Sequence, residues 1–220
     1  MNIEITKVIP LEELIGKVRG VPLLSPDENG NRIFPYENAN IELRNVSPHE
    51  VNPTTFYLLK ENLKFQRELR DYLIMGYGTD SLKLNHGLEL ANVEKGEEWT
   101  LIPPIIEVTP RTVRYIPIDG ELEYQETARI QIPIINDGAH RCWISLVDNT
   151  NFNSIYISGA SERFPFYAHP NEWDRIKIVD KTPSTKREKK FYSREKCYFL
   201  YRDFGVLGCG APRHLGKKDG

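Results

Sequence analysis

The chain is poor in sulfur and has no long apolar run, and both absences narrow what it can be. Its three cysteines, Cys142, Cys197 and Cys209, are an odd number at irregular spacing in 220 residues, which fits reduced thiols and not a disulfide framework. Cys197, Cys209 and His214 are metal-ligand types, but they lack the close Cys pair of structural zinc sites, so no metal centre is expected. No stretch approaches the roughly 20 apolar residues of a transmembrane helix, and residues 1–14 carry charges where a secretory leader is apolar. The expectation is a cytoplasmic protein without membrane attachment. Gly and Pro at 15 copies each, 40% hydrophobic and 27% charged residues exclude collagen-like, coiled-coil and disordered chains. Internal repeats of solenoid or propeller period are also absent. What remains is one domain able to bury on the order of 70% of the surface its unfolded chain exposes.

The net charge of −2 conceals an uneven distribution. Residues 1–174 hold 16 Lys and Arg against 26 Asp and Glu, whereas residues 175–220 hold 13 against 5. Such a basic end either meets a polyanion such as nucleic acid or packs on the acidic body of its own molecule. Within it, residues 186–202 run from Lys186 to Arg202 and interleave cations with Phe191, Tyr192, Tyr198, Phe199 and Tyr201. This composition suits phosphate neutralisation with base stacking, and also an amphipathic strand with a basic solvent side. Residues 205–214 are glycine-rich but lack Walker spacing and a following helix, so they read as a flexible tail.

Turn formers such as Pro22, Pro26, Asp27, Gly30, Pro35 and Pro48 mark residues 1–50 as an irregular N-terminal arm, with a short strand at 4–8 and helical turns at 11–18 as its only regular pieces. Residues 54–75 place Phe56, Leu59, Leu63, Leu69 and Leu73 near one helical face, with Thr54 or Thr55 as cap and Gly76 as stop. Apolar, β-branched residues at 99–108 and 130–135 read as buried strands. Residues 112–118 alternate and reach Asp119-Gly120, a turn that would pair them with 122–125 as a hairpin. Further on, 142–147 reads as helix, 154–158 as extended and 173–179 as a mixed segment. The body of the domain is then 51–180, and 181–220 is a basic C-terminal extension.

The most informative stretch is 132–147, an apolar strand that stops at Asn136-Asp137-Gly138 and turns directly into a helix. The first turn of a helix has amides without internal acceptors and a partial positive charge, so it is a place for phosphate. Gly138 lets the backbone approach a ligand closely. Arg141 adds a permanently charged fork, and His140 adds a group that titrates near neutrality. Asp137 would cap the helix or hold a metal or water. The same residues also suit a capped helix whose His140 and Arg141 merely pair with nearby acids.

A strand followed by Asp137-Gly138-Ala139-His140-Arg141 and an apolar helix resembles the core motif of the ParB/sulfiredoxin superfamily. It is most similar to a branch with an Asp-Gly-Gln-His-Arg signature, linked to DNA modification and phage defence. The Pro103-Pro104 strand upstream resembles one that this branch carries before its signature. The likeness covers about 99–157. It implies an α/β fold, a single ParB/sulfiredoxin-like domain with a small mixed sheet, and nucleotide phosphates held at Gly138, Ala139, His140 and Arg141. Members include CTP-hydrolysing DNA clamps, an ATP-dependent sulfinic acid reductase and a free-serine kinase, so the cofactor implied is ATP or CTP with Mg²⁺. Ala139 stands where the branch has Gln and sulfiredoxins have their reactive Cys, which excludes sulfiredoxin chemistry by that route.

Nucleotide turnover needs a group that orients water or accepts a hydroxyl proton. The candidates are His140, Glu107 at the end of the Pro-Pro strand, Asp137 at the turn and Glu126 before the motif strand; the three carboxylates also read as surface charges or caps. The expected function is NTP binding followed by hydrolysis or phosphoryl transfer in a DNA-related or defence process. The alternatives are a non-catalytic DNA-binding or regulatory protein using residues 186–202, and an assembly subunit that keeps the motif as scaffold.

Overall fold

The structure is a computed structural model describing residues 2–114, 127–192 and 200–209 and the backbone of 213–214. In chain order, β1 (Ile3–Ile9) leads into α1 (Leu11–Arg19), and a loop of turns reaches β2 (Asn40–Val46). The short β3 (Tyr57–Leu59) runs straight into α2 (Lys60–Tyr77), which is followed by β4 (Gly87–Asn92) and β5 (Glu97–Leu101). Next come β6 (Ile105–Arg114), β7 (Thr127–Asp137), α3 (Ala139–Val147) and β8 (Phe152–Ser158). The last elements are β9 (Lys177–Val179), α4 (Lys186–Lys189) and β10 (Arg213–His214).

The architecture is α/β with small sheets, as the sequence leads one to expect. One sheet has the order β1-β4-β5-β10 and a second the order β2-β8-β6-β7, while β3 and β9 form a parallel pair. The second sheet is mixed, because β6 runs parallel to β8 and antiparallel to β7. Helix α2 joins the two sheets: Leu69 and Leu73 pack with Leu88, Leu90 and Trp99 on the first, and Leu63 packs with Ile106, Ile135 and Cys142 on the second. The polypeptide crosses between the sheets once more, at residues 102–104.

That crossing corrects the single strand expected at 99–108. Pro103 and Pro104 have no N–H to offer a ladder, so the apolar run breaks there, and its halves, β5 and β6, lie in different sheets. The helix expected at 54–75 also moves. Residues 57–59 pair with 177–179 instead, so Thr54 and Thr55 cap nothing, and Gly76 is carried within the helix. The stop is Gly78, at φ +64°, whose N–H bonds to Ile74 O while that of Thr79 bonds to Leu73 O.

The two chain ends differ most from expectation. Residues 1–50 are no irregular arm: β1 and β2 are sheet strands, and Ile3, Leu14, Val18 and Ile41 are buried, the turn formers being confined mainly to the loop between α1 and β2. Nor is the glycine-rich end a free tail. Phe204 enters the core with Val21 and Tyr36, Thr100 N–H bonds to Gly208 O, and the backbone at 200–203 bonds to residues 22–24. Antiparallel β6 and β7 agree with the expected hairpin. Its Asp119-Gly120 turn, Glu126 and Cys197 lie outside the described residues.

Candidate functional site

Strand β7 ends at Asp137, and Gly138, at φ +86°, turns the chain into α3. Glycine is needed twice over. Residues with a side chain seldom adopt that φ, and a Cβ there would lie 2.8 Å from Cβ of Pro104 in the crossing link. Among the described residues no side chain caps α3, so its first amides at Ala139, His140 and Arg141 keep the unsatisfied character of a helix start. Asp137, expected as the cap, instead has Oδ2 3.9 Å from Arg141 Nη2 and remains about one-third exposed.

Arg141 is 5% exposed and donates from Nη1 to Ile102 O. Its guanidinium therefore ties the crossing link to the motif helix, and the expected freely offered fork is partly engaged. His140 differs from expectation more sharply. Its Nε2 accepts the Leu59 N–H at 3.3 Å. Burial, helped by the Arg141 charge, lowers its pKa to about 4. The ring is consequently neutral at pH 7, and Nε2 is committed to the backbone. It cannot serve there as an imidazolium acid, which removes the general acid-base role expected of it. The Leu59 amide also marks the start of α2, so two helix N-termini converge here.

Glu107 is neither a surface charge nor a free base. It is 1% exposed, and its Oε2 accepts from Tyr36 Oη at 2.6 Å, Asn136 Nδ2 at 3.1 Å and Arg202 Nε at 3.1 Å. Oε1 accepts from Arg202 Nη2 at 2.6 Å. Arg202 is 1% exposed and further donates to the carbonyls of Phe164, Pro165 and Leu200. Burial opposes the charge on Arg202, but the Glu107 carboxylate more than offsets it, so the guanidinium pKa is raised. A buried acid in an apolar strand must find such a partner. That signal was in the sequence; the identity of the partner, 95 residues away, was not.

The turn opens into a cavity of about 360 Å³, at the lower end of the roughly 300–1,000 Å³ range of small-molecule sites. Asn136, Asp137, Gly138, Ala139, His140 and Arg141 form one wall, and Asn62, Phe65 and Gln66 of α2 another. Trp99, Thr100, Lys190 and Cys209 also line it. Lys190 Nζ donates to Tyr167 Oη at 2.6 Å and Thr54 Oγ1 at 3.4 Å. The α2 residues, Lys190 and Cys209 were not foreseen; the 62, 65, 66 spacing was a visible clue to a shared helical face. A larger cavity of about 830 Å³, between residues 26–38 and 159–164, contains none of the motif.

The family model of the ParB CE domain matches residues 13–178. The chain belongs to this family. The match to the ParB CE domain runs from within α1 through β9 and takes in the crossing link, the motif turn and α3. No curated protein and no solved structure matches the chain. The ParB CE match begins well inside the segment read as an arm, in keeping with the strands and helix found there. Residues 186–202 lie beyond it. Their cations divide: Lys186 and Arg187 are exposed on α4, Lys190 turns to the cavity, and Arg202 is buried against Glu107. Arg202 therefore has no place in a solvent-facing DNA surface. No described helix is long and apolar enough to cross a membrane.

Proposed function

We propose that this ParB-family protein binds a nucleoside triphosphate in the motif cavity, with its phosphates at Gly138, Ala139, His140 and Arg141. The observation that carries the reading is the uncapped start of α3 facing a cavity built by the motif's own residues. Amides and the helix dipole favour an anion there. The converging start of α2 and the cations Lys190 and Arg141, set against one lining carboxylate, act in the same direction. Phe65 and Trp99 give the cavity an aromatic wall suited to a base.

ATP or CTP with Mg²⁺ fits this residue set in a particular way. No group of three His, Cys, Asp or Glu residues able to hold a metal occurs among the described residues. Asp137 is the one carboxylate on the cavity wall, which matches Mg²⁺ held by one or two carboxylates and the substrate's own phosphate oxygens. Bound there, the ion would offset phosphate charge. Hydrolysis or phosphoryl transfer then rests on Asp137, which is partly exposed, because Glu107 and His140 are committed elsewhere. The DNA-modification and defence setting of the signature branch belongs to the same proposal.

Isothermal titration with NTPs and Mg²⁺ tests the binding. Ala139→Asp is the discriminating variant: an acid in the first helical turn favours the helix but repels phosphate. Affinity is expected to fall at least about tenfold with melting temperature held or raised. Unchanged affinity would count against phosphate at this turn. The DNA-binding alternative keeps exposed Lys186 and Arg187; their joint replacement by Glu should then abolish salt-dependent DNA binding. Truncation is a poor test, because it removes the Arg202 partner of Glu107.

A further inference from the structure

We propose that Gln66 of α2 reads the base of the bound nucleotide, accepting a hydrogen bond from an exocyclic amine. This rests on the motif cavity being a nucleotide site. Gln66 Oε1 is buried and has no hydrogen-bond partner among the described residues, although the side chain lines the cavity. An enclosed carboxamide oxygen without a donor is destabilising, and native folds keep few of them. The ligand supplies the missing donor.

The position of Gln66 on its helix strengthens the argument. Asn62, Gln66, Leu69 and Leu73 follow one another at intervals of four, three and four residues, the spacing of a single inward-facing stripe. Leu69 and Leu73 are fully buried against the first sheet. Folding alone would favour continuing the stripe with leucines. The chain instead places two carboxamides where the stripe passes the cavity, beside Phe65, whose ring lies 6.1 Å from that of Trp99. An aromatic surface with an adjacent unpartnered acceptor is complementary to a flat heterocycle that carries an N–H donor on its edge.

Among nucleobases, adenine and cytosine present an exocyclic amine as donor where hypoxanthine and uracil present a carbonyl oxygen. An amine satisfies Oε1, whereas a carbonyl sets acceptor against acceptor. The matched pairs CTP with UTP and ATP with ITP change that group with little change of size. Titration of the full chain is expected to give about tenfold or greater preference for CTP over UTP and for ATP over ITP. Gln66→Leu continues the apolar stripe and should fold; it is expected to bring each pair within about twofold and leave inorganic tripolyphosphate affinity unchanged. Equal binding within the pairs by the unaltered chain, or a preference that survives Gln66→Leu, overturns the assignment of Gln66 and leaves the cavity reading standing. Absence of binding by tripolyphosphate and all four nucleotides overturns both.

Discussion

Two acids of adjacent strands, Glu107 of β6 and Asp137 of β7, sit on either side of the same turn and have opposite fates. Glu107 is enclosed, with both oxygens engaged by Arg202 and one also by Tyr36 and Asn136. Asp137 lies at the cavity, one-third exposed, with a single loose ion pair. The difference teaches how the site is made. The closed network grips Asn136, the residue before Asp137-Gly138, and draws in the N-terminal loop through Tyr36 and the C-terminal segment through Arg202. Rigidity on that side leaves the other side of the turn free to present open amides.

The sharpest way to break this comparison is to open the closed side. Arg202→Met leaves the Glu107 charge buried with only two neutral donors, and urea unfolding should show a loss of about 3–5 kcal/mol. Glu107→Leu strands Arg202 and should cost a similar amount. The double variant should lose less than the sum of the two by about 1–3 kcal/mol, since neither charge is then left unpaired. Its loss remains substantial, because three carbonyls also lose the Arg202 donor. Strict additivity would show that the pair is no unit.

The chemistry of the turn was legible in the sequence, and its surroundings were not. Asn136-Asp137-Gly138 followed by an apolar helix announced a strand-to-helix bend, because those residue types have local reasons to be there. Glu107 and Asp137 could not be told apart, since each ends an apolar run and their environments come from residues as distant as Tyr36 and Arg202. The arm at 1–50 was misread because turn formers at 22–35 were allowed to define their neighbours; the pairing of β1 with β4, more than 80 residues away, leaves no local trace. The break at Pro103-Pro104 was visible in the absence of N–H donors, but the apolar composition around it hid the change of sheet.

His140 offers a second, smaller test, of the open side. Its folded pKa is about 4, against an ordinary value of 6.5. Below 6.5 the unfolded chain takes up the proton first, so stability present at neutral pH is lost as pH falls from about 6.5 through 4. The depression of about 2.5 units corresponds to about 3 kcal/mol. In His140→Gln, whose side-chain oxygen can still accept the Leu59 N–H, stability between pH 6.5 and 4 should vary less than in the parent chain by roughly that amount. Equal slopes would place the acid sensitivity in other groups.

The smallest expected effect separates the two constraints on Gly138. Gly138→Ala meets an unfavourable φ of +86° and a contact of 2.8 Å with Pro104 Cβ, with Pro104 Cα at 3.0 Å. Strain of this kind costs about 1–3 kcal/mol. In a Pro104→Gly background the Cβ contact disappears while the φ requirement stays, so Gly138→Ala should then cost only the conformational part, about 1–2 kcal/mol. If the cost is unchanged, backbone conformation alone selects glycine and the crossing link is a bystander. If it falls, the link and the turn are fitted to one another, and the Arg141 bond to Ile102 O holds that fit closed beside the amides that remain open.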